Sequence, residues 1–183
     1  MNKKSSQNAV ESWPDVRRAY SSPEEFCKIF ENDMDALYSL ALLLTGEHAD
    51  AEACFLSALD DCRKTTDVFP EWARSWSRRA IVKDAIRRVN PGPRRQSVRA
   101  TVADATGIFG RLLEIGVFHR FVFAMAVLER YSIHECAALL NCDPREVKQA
   151  HLQALRSLSV EEIAPLLLHK SLGSQLTPAI SAA

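Results

Sequence analysis

The side chains best placed to do chemistry together lie between positions 72 and 88. Trp72 and Trp76 stand one helical turn apart, and Arg79, Lys83, Arg87 and Arg88 follow at spacings close to a turn. Flat aromatic rings stack unpaired nucleobases for about 1–3 kcal/mol each, while neighbouring guanidinium and ammonium groups hold the phosphates. A tryptophan pair at this spacing is also a common core element, so burial is the alternative use of both rings. Farther on, Arg145, Lys148, Gln149 and His151 crowd the first turns of another helical stretch. Arg and Lys match the acceptors of guanine and Gln matches the edge of adenine, as a helix laid in the major groove requires. That helix could instead dock protein, because only Arg145, Lys148 and Arg156 are basic and Glu146 offsets one of them.

Other chemistry is poorly served. The sequence has no Gly-rich phosphate loop, HExxH or GxSxG. Asp60 and Asp61 are neighbours on a helical stretch and so diverge rather than forming an acid–base pair. An enzyme is therefore not expected. Cys27, Cys54, Cys62, Cys136 and Cys142 are odd in number and form no CxxC pair. They read as small core hydrophobes of a reducing compartment. His134, Cys136 and Cys142 lie close in sequence but lack a fourth ligand at finger spacing, so neither a metal nor another cofactor is expected. The polar start Met1–Gln7 and the lack of a spanning apolar run lead to the expectation of a cytoplasmic protein with no membrane partner.

The 183 residues carry 23 basic and 23 acidic side chains, and this balance hides a partition. Residues 1–70 hold seven basic and thirteen acidic groups, residues 71–99 nine and two, and residues 100–183 seven and eight. Positive charge concentrated in one stretch points to an anionic partner such as nucleic acid, or else to a solvated helix face. With 47% hydrophobic and 25% charged residues, a largely disordered or collagen-like chain is excluded.

The elements that must position these residues are helical, and no segment alternates with period two long enough for a strand. Ser22-Pro23-Glu24-Glu25 opens a helix with a capping box and a first-turn Pro, and Phe26, Ile29, Phe30, Leu37, Tyr38, Ala41 and Leu44 carry it to Gly46. A second helix covers about 49–64, with Phe55, Leu56, Leu59 and Cys62 as its apolar stripe. A third, from Pro70 to about 89, places Trp72, Trp76, Val82, Ile86 and Val89 on a broad face. Asn90-Pro91-Gly92-Pro93 must break it. A fourth helix is expected at about 111–130. Two short ones follow at 133–140 and 144–158, opened by the capping boxes Ser132–Glu135 and Asp143–Glu146 and separated by three residues, the pattern of a helix-turn-helix. The expected architecture is all-α: an arm at 1–20, a helical domain at 21–90, a linker at 91–110, a helix-turn-helix domain at 111–160 and a tail at 161–183.

Three stretches carry a resemblance. They are Leu37–Gly46 followed by Ala49-Asp50-Ala51-Glu52; Trp72–Arg79 followed by Asp84-Ala85-Ile86-Arg87-Arg88; and Tyr131–Cys142 followed by Val147-Lys148. In this order they resemble the extracytoplasmic-function (ECF) sigma factors of bacterial RNA polymerase. The resemblance implies a transcription-initiation protein that binds core RNA polymerase through 49–64, with Asp50, Glu52, Ser57 and Asp60 as contacts. It further implies melted promoter DNA along 70–95, duplex promoter DNA at 132–158, and an anti-sigma factor as a candidate partner. The sequence departs from the family where Ala53, Leu56 and Ser57 replace a more polar polymerase-facing set, and where Ala80 and Ala150 replace an Asn and an Arg. Those departures leave two alternatives: a helix-turn-helix regulator that no longer binds polymerase, and a protein-interaction module of the same ancestry.

Overall fold

The computed structural model describes residues 20–93 and 107–158, and these are all helical or connecting, with no strand among them. The chain order is α1 (Pro23–Asn32), α2 (Met34–Thr45), α3 (His48–Arg63), α4 (Pro70–Val89), α5 (Gly107–Glu114), α6 (Val117–Phe123), a π-helical turn (Ala124–Leu128), α7 (Ile133–Leu140) and α8 (Pro144–Arg156). The sequence expectations for 1–19, for 94–106 and for the tail from 159 onward lie outside the described residues.

Helix starts follow local chemistry. Ser22, Ser132 and Asp143 each accept a backbone N–H of the first turn, and Glu25, Glu135 and Glu146 reach back to the cap, completing three capping boxes. Gly46 ends α2 at φ 78, and Asn141 ends α7 at φ 49, in the left-handed region that Gly and Asn tolerate best.

Two helices expected to be continuous are interrupted. The helix expected from Ser22 to Gly46 bends at Asp33 (φ −106, ψ 19), where Glu31-Asn32-Asp33 breaks the apolar period and Arg74 of α4 draws off the Asp33 carboxylate at 3.1 Å. The helix expected at 111–130 begins earlier, at Gly107, inside the expected linker, and stops at Glu114. It resumes at Val117 after Gly116, whose ψ of 142 is extended, and then widens into the π turn.

The buried faces also differ from the expected stripes. In α3 the core side is Ala51, Cys54, Ala58 and Cys62, while Leu56 points outward. In α4 it is Ala73, Ser77, Ala80, Ile81, Val82, Asp84 and Ala85, while both tryptophans are exposed. Small side chains on both faces let the two helices approach closely. The Cys54 thiol reaches the Ile81 carbonyl at 3.5 Å.

Beyond its exposed first turn helix α2 is buried on nearly every side, with Leu37, Leu40, Ala41, Leu42, Leu43 and Leu44 at 2% exposure or less. A helix that is apolar all round needs cover all round. Here α1, α3 and α4 cover one side, and α5, α6 and the π turn the other. The residues before position 90 and those after 107 therefore share one continuous core.

Candidate nucleic-acid interface

Helix α4 brings together part of the expected set. Trp72 is 61% exposed and Trp76 38%, so the rings are surface groups rather than core. Phe69 meets Trp72 edge-on at 5.5 Å, and Tyr20 leans on Phe69 at 5.0 Å, so an exposed aromatic row opens α4. One turn on, the Lys83 ammonium lies 5.5 Å from the centre of the Trp76 ring. Trp76, Arg79, Lys83 and Arg87 line one cleft of about 210 Å³, with Asp61 and Thr65 on its far wall.

The charge of this helix is largely answered from within. Arg87 donates to Asp61 at 2.8 Å and to Asp84 at 2.9 Å. Arg88 donates to Asp84 and, at 3.0 Å, to the Ala53 carbonyl. Arg79 donates to Glu135 at 3.0 Å and lies 5.1 Å from the centre of the Tyr131 ring. Lys83 has no carboxylate within ion-pair distance among the described residues. Asp84, nearly buried, is the hub. Burial pushes its carboxyl up, but hydrogen bonds from Arg88, Ser57 and Arg87 outweigh that and hold it below the usual carboxylate range.

Helix α8 presents the opposite picture. Val147, Ala150 and Ala154 are buried, while Arg145, Lys148, Gln149, Leu152 and Arg156 form one exposed face. No carboxylate is paired with Arg145, Lys148 or Arg156 among the described residues. His151 is half-buried at its edge. The three-residue turn Asn141-Cys142-Asp143 sets α8 against α7, and the N-terminal side of α8 faces outward.

On α3, Asp50 and Glu52 are exposed, and Asp60 pairs with Lys64 at the surface. Ser57 turns inward instead, its hydroxyl donating to Asp84 at 2.9 Å. Leu56, 56% exposed, stands where an outward polar group was expected to matter.

Sequence reasoning missed several groups. Arg78 makes a two-point bond to Glu129. Arg120 is buried at 1% exposure with no carboxylate paired to it among the described residues, and donates to the carbonyls of Leu113 at 3.1 Å and Leu44 at 3.4 Å. Both carbonyls lie in the last turn of a helix, where the dipole is negative. An Arg one turn inside an apolar run was the available signal. His134 is exposed while Cys136 is buried, and no three His, Cys, Asp or Glu side chains converge among the described residues. None of the described helices is long and apolar enough to cross a membrane.

Compared with known proteins, the chain matches no family model, no curated protein and no solved structure.

Proposed function

We propose that the chain is a sigma factor-like transcription-initiation protein that binds core RNA polymerase and promoter DNA. The observation that carries this reading is the exposed face of α8. Among the described residues Arg145, Lys148, Gln149 and Arg156 stand there without carboxylate partners, on a helix held from behind by Val147, Ala150 and Ala154 and joined to α7 by a three-residue turn. Such a helix can enter the major groove and offer Arg, Lys and Gln to base edges. The exposed Trp72 and Trp76 beside Lys83 support the second half of the reading, a platform for unpaired bases. Asp50 and Glu52 remain available as polymerase contacts on α3.

A second reading keeps the DNA contact and drops polymerase. It is favoured by Leu56, which exposes an apolar side chain in the middle of the polymerase-facing surface, and by Ser57, whose hydroxyl is spent on Asp84.

One pair of measurements separates them. Association of the full chain with core polymerase is tested by co-purification, with Asp50→Ala and Glu52→Ala together as the control. Duplex promoter binding is followed against salt, with Arg145→Ala and Lys148→Ala together as the control. The sigma reading expects both, each lost in its own control, with the salt slope falling by about two charges in the α8 variant. Duplex binding without polymerase association selects the second reading. Binding to neither removes both.

A further inference from the structure

The seam between α4 and residues 129–135 is built from charge. Arg78 donates Nε to Glu129 at 2.8 Å and Nη2 to its other oxygen at 2.5 Å, a parallel two-point bond. The Glu129 side chain is 6% exposed and that of Arg78 23%. Beside it, Arg79 gives Nη2 to Glu135 and lays its guanidinium near the Tyr131 ring. The backbone that delivers these partners is irregular. The π turn ends at Leu128, and Arg130 follows with φ 57, a left-handed conformation unusual for a residue with a side chain. These two deviations set Glu129 and Tyr131 against α4. A cavity of about 270 Å³ lies along the same seam.

A guanidinium edge that holds a carboxylate at two points cannot hold a phosphate with the same donors. Arg87 and Arg88 pair with Asp61 of α3 and Asp84 of α4, so their state does not depend on how α7 sits. Of the α4 cations, and among the described residues, only Arg78 and Arg79 are answered from across the seam.

We propose that this seam is a clasp, in which Glu129 and Glu135 hold Arg78 and Arg79 in the place of nucleic-acid phosphates until α7 and residues 129–135 lift from α4, with the core around α2 intact. Opening it adds two cations to the Trp76–Lys83 surface and lets a single strand run along α4. The ligand rests on the nucleic-acid reading proposed above; the closure rests on the ion pairs alone.

The test uses the full chain with Glu129→Gln and Glu135→Gln combined. Dyes carried by non-natural residues at the exposed positions Ser75 and Ala138 report the separation of α4 and α7 by energy transfer, with no DNA present. A mixed-sequence single-stranded oligonucleotide and a duplex of the same sequence are then titrated by anisotropy over a range of salt. The expected result is a longer dye distance and single-strand affinity raised about tenfold, with the salt slope steeper by about 1.4 for two released arginines. An unchanged distance overturns the clasp, and so does a longer distance without gain in single-strand affinity. Absence of duplex binding in the wild type, with the distance still responding, counts against the promoter reading and not against the closure. If the double variant fails to fold, Glu135→Gln alone, at a half-exposed site, carries the test: about threefold tighter single-strand binding is expected, and none overturns the proposal.

Discussion

Asp84 is the residue on which the basic helix depends, because one nearly buried carboxylate organises Arg87, Arg88 and Ser57. Its pKa is depressed on folding, so its stabilisation is complete above the ordinary Asp value and is lost as pH falls through the lower folded value. Asp84→Asn should therefore cost about 2–3 kcal/mol at pH 7, and in urea unfolding the difference should stay full above about pH 4 and begin to shrink only as pH falls below it. Buried thiols give a second prediction at this scale. Desolvation pushes Cys54 up to about 12 and Cys62 and Cys136 up to about 11, whereas Cys27 and Cys142 are partly exposed. Desolvation and the charges of Glu146 and Asp143 also raise the Cys142 thiol, so brief alkylation of the native protein at pH 8, read by mass spectrometry, should modify Cys27 first, Cys142 more slowly and the three buried thiols least, since the thiolate is the nucleophile.

Each of α1, α7 and α8 is started by a side chain that satisfies its own first turn, and removing one should cost a predictable amount. Ser132→Ala and Asp143→Ala should each lower stability by about 1 kcal/mol in thermal or urea unfolding, and in different helices the two effects should add. These caps were also the most legible features of the sequence, because a Ser or Asp followed by Glu three residues on acts locally. The break at Asp33 was not legible in the same way, since part of its cause is Arg74, forty-one positions away. The break at Gly116 had a local signal, the glycine itself, but the apolar period of Leu113, Val117 and Phe121 runs straight through it. The stripes on α3 and α4 misled for one reason. Apolar size alone points to the large side chains as the buried ones, whereas close helix packing selected Ala, Cys and Ser and turned Leu56, Trp72 and Trp76 outward. For the candidate site, residue identity was readable and pairing was not: nothing local to Arg79 announces Glu135.

At the scale of the molecule, the deciding element is α2. The run Leu40–Leu44 is apolar on more than one face, a sign that a second layer must cover it, and α5 and α6 do so. Sharing this helix joins the two expected domains into one core, so unfolding followed by tryptophan fluorescence and by far-ultraviolet circular dichroism should give a single coincident transition. Arg120 fastens the join from inside. Arg120→Ala should cost about 3–5 kcal/mol, because it opens a cavity and orphans the carbonyls of Leu44 and Leu113, and it should separate the two transitions. The caps have one more effect, on the direction from which a polyanion can arrive. At the start of α8 the outward amides already serve Asp143, and the carboxylates of Asp143 and Glu146 stand guard over the positive end of the helix dipole. Under the proposed reading the acidic caps keep the phosphates off the helix tip, so DNA would lie broadside on the face of Arg145, Lys148, Leu152 and Arg156 instead of meeting the tip first.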